Sequence, residues 1–253
     1  MLLEGKNAVI YGGAGAIGSV VAKAFAREGA RVHLAGRTLR ALDVVAEAIR
    51  SAGGLADTAV VDALDETAVD SFTETVVGRA GSLDISFNLI DVDDVQGTPL
   101  AEMSLADFEK PILTAVRSTF ITARAAARQM IRQRSGVILT FGGGGGRDPI
   151  RDYSIVGFVV SLGAVDTLRR QLAAELGRYG IRVLTLETGG LVETLPKDFP
   201  HRDDIVDLIV GPTMLERAAT FEDVGNVAVF AASDHAAAIT GTVLNITCGA
   251  SVD

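Results

Sequence analysis

The chain lacks tryptophan, has a single cysteine at Cys248, and contains only three histidines among its 253 residues. One cysteine cannot form a disulfide within the chain, and no group of Cys and His residues has the spacing of metal ligands, so we expect no metal site. Basic residues are also scarce, since 23 Lys and Arg stand against 32 Asp and Glu, which gives a net charge of −9. We expect such an acidic chain not to bind nucleic acid.

Long apolar runs and targeting features are missing as well. The N-terminus has no basic region followed by a long apolar segment, and the longest mostly apolar run, Ile155 to Val165, is too short to span a bilayer. We therefore expect no membrane partner and a cytoplasmic location. With 48% hydrophobic residues and no composition break, the sequence predicts one domain, residues 1–253, with a sizeable core.

Short β-rich runs alternate with longer helical segments along the chain. Most of the β-rich runs are continuously apolar, which is typical of strands buried on both faces of a parallel sheet. The expected strands are Asn7–Tyr11, Arg31–Ala35, Thr58–Val61, Asp84–Leu89, Gly136–Phe141, Arg182–Glu187 and Val243–Thr247. The expected helices are Ile17–Glu28, Leu39–Ala52, Glu66–Ala80, Ser104–Gln133, Ser154–Tyr179 and Phe221–Ser233. Repeated β–α units predict an α/β fold, a single-domain Rossmann-type doubly wound parallel sheet of about seven strands.

One segment between the sixth strand and the last helix looks irregular. It covers about residues 191–213 and contains Pro196, Pro200, Pro212 and several charged residues. A segment at this place follows the carboxyl end of a strand, where ligands bind in this architecture. We predict a flexible flap on the substrate side.

Two helical segments are unusually apolar, Ile155–Val160 and Ala123–Ala127. One sheet cannot cover such helices completely, so we expect them also to pack against another subunit in a homodimer or homotetramer. The alternative is a helix buried within the monomer.

A glycine-rich turn, Tyr11-Gly12-Gly13-Ala14-Gly15-Ala16-Ile17-Gly18, joins the first strand to the first helix. Glycines let the backbone approach a phosphate closely, and the positive end of the helix dipole favours negative charge. The pattern predicts a nucleotide site. Its expected contacts are Gly12, Ala14, Gly15, Ile17 and Gly18.

The end of the second strand indicates which nucleotide binds. An acidic residue about 20 residues beyond the turn would bind a ribose 2′-hydroxyl, but here the strand ends in Ala35-Gly36-Arg37-Thr38. Arg37 could pair with a 2′-phosphate through charge-assisted hydrogen bonds. This pattern favours NADP(H) over NAD(H). The alternative is that Arg37 is a solvated residue at a helix start.

These motifs resemble the short-chain dehydrogenase/reductase family over nearly the whole chain. The glycine turn is similar to that family's Thr-Gly-x-x-x-Gly-x-Gly, with Tyr11 and Ala16 as departures. Asp62-Ala63 match the family's Asp that meets the adenine, and Asn88 matches the first residue of its Asn-Asn-Ala-Gly turn. The segments 172–176, 180–183, 221–224 and 239–241 resemble the family's C-terminal half. The set of expected cofactor contacts therefore also includes Arg37, Thr38, Asp62, Ala63, Asn88 and Gly189.

The resemblance implies an oxidoreductase that acts on a small carbonyl or alcohol substrate and assembles through helices equivalent to the two apolar ones. In that family a Tyr exchanges a proton with the substrate oxygen, and a Lys four residues later lowers the pKa of the Tyr. A Ser orients the substrate oxygen, and an Asn supports a proton-relay water.

This sequence departs from the family at all four catalytic positions. No Tyr precedes any of its four lysines by four residues, so Tyr-x-x-x-Lys is absent. The family's positions are occupied by Phe158 (Tyr), Leu162 (Lys), Gly142 or Gly143 (Ser) and Ala115 (Asn). Phe158 and Leu162 lie four apart on one helix face and line the expected pocket with hydrocarbon. The family's proton transfer cannot operate with these side chains.

Other groups near the pocket could take part. Tyr153 precedes the same helix, near Asp148 and Asp152, and could serve as a substitute acid, although solvated loop residues are the simpler interpretation. The glycines at 142–146 could present N–H groups to an oxyanion or simply form a mobile segment. Glu193 stands where the family tends to have a Thr that meets the cofactor, with Thr194 as a possible replacement.

Three functions remain open at this stage. The first is an NADP(H)-dependent oxidoreductase with a relocated acid. The second is a catalytically silent nucleotide-binding sensor or structural subunit. The third is a redox-neutral cyclase or isomerase that shapes an apolar substrate in the emptied pocket.

Overall fold

The computed structural model describes residues 1–143, 153–199 and 201–252. At its centre is a seven-stranded parallel sheet with strand order β3-β2-β1-β4-β5-β6-β7. The strands are β1 (Asn7–Tyr11), β2 (Arg31–Gly36), β3 (Leu55–Val60), β4 (Ile85–Asn88), β5 (Gly136–Gly143), β6 (Ile181–Thr188) and β7 (Val243–Ile246). The helices are α1 (Ala16–Arg27), α2 (Leu39–Ser51), α3 (Glu66–Ala80), α4 (Leu105–Gln133), α5 (Val156–Leu176), α6 (Arg202–Val210) and α7 (Phe221–Ala232). The predicted doubly wound α/β fold is confirmed.

Hydrophobic cores lie on both faces of the sheet. Ala8 and Ile10 of β1 pack into a core with α1, α2 and α7, whereas Val9 and Tyr11 pack into a second core with α3, α4 and α5. This alternation follows from the two-residue period of a strand. Because helices cover both faces, all five residues of β1 are buried, as its continuously apolar sequence predicts.

The apolar stretch Ala123–Ala127 is covered within the monomer. Its four alanines are at most 8% exposed, because their small side chains allow α4 to pack closely against its neighbours, including α5. For this stretch the alternative, burial within the monomer, therefore holds. On α5, by contrast, Val160 is 42% exposed.

Two elements differ from the sequence prediction. Strand β3 begins at Leu55, three residues before the predicted Thr58. The prediction missed this start because β3 is an edge strand with exposed residues, Leu55 and Val60, and therefore has no continuous apolar pattern. Helix α6 lies inside the segment predicted to be irregular. The prolines of that segment stand before and after the helix and not within it, and Ile209 on α6 packs against Gly190 beyond the end of β6.

Side chains fix the starts of two other helices, α4 and α7. The Ser104 hydroxyl accepts the Asp107 N–H at the start of α4, at 3.1 Å. Thr220 and Asp223 form a reciprocal capping box at α7. Within the described ranges, no helix has the length and apolar character needed to span a membrane.

Candidate functional site

The glycine turn between β1 and α1 is held by the two strands beside β1. The Gly12 N–H donates to Ala35 O at 2.9 Å, and the Leu89 N–H donates to Tyr11 O at 3.0 Å. Gly12 has φ +77°, and a Cβ there would lie 2.2 Å from Leu89 O. A Cβ at Gly18 would lie 2.1 Å from Gly12 O. Close approach of backbone atoms therefore requires glycine at both positions.

The start of α1 is left open for an anion. The N-cap residue of α1 is Gly15, and no described side chain accepts a hydrogen bond from the N–H groups at this helix start. The first turn of α1 contains no acidic residue. The N–H groups of Ala16, Ile17 and Gly18 have no acceptor within the helix, so they are available to a ligand. These features fit the pyrophosphate of a dinucleotide. Ala14 is half-buried beside them.

Tyr11, the departure at the first position of the turn, faces away from the open end of the helix. Its ring is buried and packs edge-on against Phe72, and its hydroxyl lies 3.2 Å from the Thr73 hydroxyl. Burial raises the pKa of Tyr11 to about 12. Tyr11 is thus a core residue and supplies no acid to the site.

The ends of β2 and β3 offer groups that suit an adenosine. Arg37 and Thr38 are exposed directly after β2. The next strand is joined to this point because the Val61 N–H donates to Gly36 O at 3.0 Å. Asp62 then turns back so that its Oδ1 accepts the Leu64 N–H at 3.0 Å, while Ala63 is buried. A guanidinium and an oriented carboxylate on neighbouring strands fit a phosphorylated ribose and an adenine amine.

Asn88 anchors the chain after β4 through the hydrogen bonds of its side-chain amide. Its Nδ2 donates to the Ser118 and Thr119 hydroxyls of α4 at 3.2 and 3.4 Å, and its Oδ1 accepts the Ile90 N–H at 3.0 Å. The loop that follows, residues 89–98, is also fixed at its far end. The Gly97 N–H donates to Ser154 O at 2.8 Å, just before α5.

The same loop carries a charge pair. Asp93 forms an ion pair with Lys110 on α4. The hydrogen bond from Lys110, together with the charges of Lys110 and Arg37, holds the pKa of Asp93 below its usual value. Arg37 and Asp93 thus lie in loops that follow the two strands beside β1.

The end of β5 faces hydrocarbon. A Cβ at Gly143 would lie 3.4 Å from Phe158 Cε1 and 3.9 Å from Leu162 Cδ1, and a Cβ at Gly142 would lie 3.7 Å from Leu162 Cδ2. Phe158 and Leu162 thus lie together against the last residues of this strand. Ala115 is buried on α4. None of these side chains can donate or accept a proton.

The described residues include two of the other candidate groups, Tyr153 and Gly189. Tyr153 is 45% exposed and lies three residues before Val156, the first residue of α5. Its predicted neighbours Asp148 and Asp152, and the glycines at 144–146, lie outside the described residues. Gly189 is half-buried directly after β6.

Glu193 has a role that the sequence did not reveal. Its Oε2 accepts the Phe221 N–H at the start of α7, across 28 residues of sequence. Thr194, the suggested cofactor contact, donates its hydroxyl to Leu191 O at 2.7 Å. No local pattern could have indicated the Glu193 contact, because it joins two distant segments. Among the described residues, no three His, Cys, Asp or Glu side chains are grouped so as to hold a metal ion.

Known proteins resemble this chain over nearly its whole length. The family model described as enoyl-(acyl carrier protein) reductase matches residues 12–251. Secoisolariciresinol dehydrogenase of Forsythia intermedia is 34% identical, with 99% of this chain and 90% of that protein covered. A short-chain dehydrogenase/reductase from Serratia marcescens has a TM-score of 0.87 at 26% identity, with both chains fully covered. A gluconate 5-dehydrogenase from Burkholderia cenocepacia in complex with NADP and tartrate has a TM-score of 0.88 at 25% identity, covering 98% of this chain and 96% of that one.

Proposed function

Since this chain belongs to the short-chain dehydrogenase/reductase family, we propose that it binds NADP(H) and acts as an oxidoreductase on a small carbonyl or alcohol substrate through a non-standard active site. The observation that carries the proposal is the uncapped start of α1 behind the turn at Gly12 and Gly18. Asp62 and Arg37 follow two neighbouring strands, β3 and β2, and their charges support an adenosine site beside the turn.

The preference for NADP(H) over NAD(H) rests on Arg37. No carboxylate ends β2, where it would bind a free 2′-hydroxyl and repel a phosphate. A guanidinium there forms charge-assisted hydrogen bonds with the phosphate. The related gluconate 5-dehydrogenase binds NADP, which supports this choice.

The bound dinucleotide supplies or accepts a hydride, and the chain's own residues determine where the substrate lies and how its oxygen is protonated. Phe158 and Leu162 lie against the end of β5, and we infer that they present hydrocarbon to the substrate and exclude water from it. We assign the proton transfer to Tyr153, whose half-exposed phenol stands at the start of α5. A phenol can act as a general acid when it lies within hydrogen-bonding reach of the substrate oxygen.

A second function is favoured by one observation, the contact of Phe158 and Leu162 with the end of β5. A pocket without a proton donor suits a nucleotide-binding sensor or a structural subunit. It equally suits a redox-neutral cyclase or isomerase that folds an apolar substrate.

These functions are separated by binding and turnover measurements on the same preparation. We expect NADPH to bind more tightly than NADH, and a panel of carbonyl and alcohol substrates to include at least one that changes nicotinamide absorbance. Tight NADPH binding without turnover on the panel would favour the sensor or structural subunit. Conversion of a substrate at constant nicotinamide absorbance would favour the redox-neutral enzyme.

The role of Tyr153 is tested by Tyr153→Phe, with Tyr179→Phe as the matched control. Tyr179 follows the far end of the same helix, where the guanidinium groups of Arg134 and Arg178 stack on its ring. Loss of a general acid should lower kcat by about 10²- to 10⁴-fold for Tyr153→Phe and leave Tyr179→Phe unchanged. Equal activity of both variants would refute the assignment.

We also propose a homodimer or homotetramer formed through α4 and α5. Large apolar side chains are exposed on both helices, at Leu113 and Phe120 on α4 and Val160 on α5. Single substitutions Phe120→Asp and Val160→Asp should shift the sedimentation coefficient towards that of the monomer. Unchanged sedimentation of both variants would exclude these helices as the interface.

A further inference from the structure

The sheet order brings two loops to opposite sides of the glycine turn. Strand β1 lies between β2 and β4, and Tyr11 at its end is in register with Ala35 on one side and Asn88 on the other. Neighbouring strands are about 4.8 Å apart, so the ends of β2 and β4 are separated by roughly 10 Å. Arg37 follows the first of these ends and Asp93 lies in the loop after the second.

Three charges of alternating sign therefore stand at the adenosine end of the site. Lys110 pairs with Asp93, and Asp93 and Arg37 lie in the two loops that follow the strands on either side of β1. The positive charge of Arg37 contributes to the lowered pKa of Asp93. The side chains of Lys110 and Asp93 are 52% and 76% exposed, so both remain accessible to a charged ligand. The loop's other carboxylates, Asp91 and Asp94, accept the Asp93 N–H at 3.0 Å and the Gln96 Nε2 at 2.8 Å.

We propose that Asp93 and Lys110 are specificity-determining residues for the cofactor's 2′-phosphate: Asp93 weakens NADP(H) binding, and Lys110 restores it by neutralising Asp93. This inference rests on the proposed binding of NADP(H) at Arg37. Asp93 opposes phosphate binding in two ways. Its negative charge repels the phosphate, and it partly neutralises the positive charge of Arg37 that would attract the phosphate. Lys110 acts mainly through Asp93.

The size of the effect follows from charge and exposure. A phosphate monoester carries about −1.5 to −2 charges at neutral pH, whereas the hydroxyl of NAD(H) carries none. Asp93 should therefore change the ratio of the two affinities and leave NAD(H) binding almost constant. Exposed charges interact weakly, so we expect changes of about two- to fivefold.

The experiment measures the dissociation constants of NADP⁺ and NAD⁺ by calorimetry for the wild type, Asp93→Asn, Lys110→Gln and the double variant. The preference for NADP⁺ should rise about two- to fivefold in Asp93→Asn and fall by a similar factor in Lys110→Gln. In the Asp93→Asn background, Lys110→Gln should lose more than half of its effect. At about 1 M salt, where the Debye length is about 3 Å, all the differences should shrink.

The chain provides a matched control pair. Lys6 directly precedes β1, so it lies at the amino ends of the strands, whereas the glycine turn follows the carboxyl end of β1. Its Nζ lies 3.7 Å from Asp234 Oδ1. Lys6→Gln removes the same charge from the protein as Lys110→Gln, and it should leave the preference unchanged. Adenosine 2′,5′-bisphosphate and adenosine 5′-phosphate, which lack the nicotinamide, should repeat the pattern of NADP⁺ and NAD⁺.

Each contrary result has a distinct meaning. If the wild type prefers NADP⁺ but Asp93→Asn and Lys110→Gln leave its preference unchanged, the inference is wrong and the proposed function stands. If Lys110→Gln has its full effect without Asp93, Lys110 acts on the phosphate directly and the inference is wrong. If the wild type binds NAD⁺ as tightly as NADP⁺, or binds neither, the proposed cofactor assignment fails together with the inference.

Discussion

Gly18→Ala tests the packing of the glycine turn most directly. The new Cβ would lie 2.1 Å from Gly12 O, and real Cβ atoms are not found within 3.0 Å of such an atom. The two must therefore separate by about 1 Å. The three atoms nearest to the new methyl group belong to the backbone of Gly12 and Gly13, so the closest contacts cannot be relieved by moving a flexible side chain.

Two opposing effects set the size of this change. Replacing glycine with alanine inside a helix normally stabilises a protein by about 0.5–1 kcal/mol. Forcing an extra methyl group into a packed site costs about 1–3 kcal/mol and exceeds that gain. We expect Gly18→Ala to lower the free energy of unfolding by about 1–2 kcal/mol. It should also weaken dinucleotide binding, because the first turn of α1 can no longer hold its N–H groups beside Gly12.

Gly78→Ala is the matched control. Gly78 is exposed in α3, and a Cβ added there would have no described atom within 4 Å beyond its chain neighbours and the backbone of its own helix. This substitution should raise the free energy of unfolding by about 0.5–1 kcal/mol. Urea unfolding of both variants at one fixed protein concentration measures the difference. Equal stabilisation by both substitutions would refute the close approach of Gly18 to Gly12.

Three further outcomes are expected. Burial lowers the pKa of His33 despite the opposing charge of Asp57. The neutral imidazole therefore contributes to stability above about pH 6.5, and this contribution is lost as the pH falls. Urea unfolding at two pH values should show that acid lowers the free energy of unfolding less in His33→Gln than in the wild type. The hydrogen bond from Arg217, with further bonds at the start of α7, lowers the pKa of Asp223 to about 2. Asp223→Asn should therefore destabilise the protein by about 0.5–2 kcal/mol at neutral pH, and urea unfolding should show the difference shrinking as the pH falls below about 4 and through about 2. Phe158→Tyr combined with Leu162→Lys should raise the rate of NADPH-dependent carbonyl reduction about 10²-fold or more, whereas either change alone should not. An inactive double variant that still binds NADPH would show that further groups are missing.

The central strands were predictable because burial on both faces requires apolar residues at every position. For this reason the first and last residues of β1, Asn7 and Tyr11, were predicted correctly. Strand β3 was displaced because an edge strand has exposed positions that break the pattern. Helix α6 was missed because the prolines around it resemble those of a loop, and none of its side chains is fully buried.

The candidate site was predictable where its residues are neighbours in sequence. The glycine turn is a continuous stretch of sequence, so its residues necessarily lie together. Phe158 and Leu162 are four residues apart in a helix, which places both on the same helix face. The contact of Glu193 with α7 and the pair of Asp93 with Lys110 depend on how separate segments fold together. A sequence contains no local sign of such contacts.

The loop at residues 89–98 has a mechanical consequence. At one end its backbone lies against Gly12, and at the other the Gly97 N–H holds Ser154 O beside α5. The loop is thus a strut between the nucleotide turn and the helix that carries Phe158. This ten-residue segment thus fixes the positions of Gly12 and Ser154 relative to each other, although the two lie 142 residues apart in sequence.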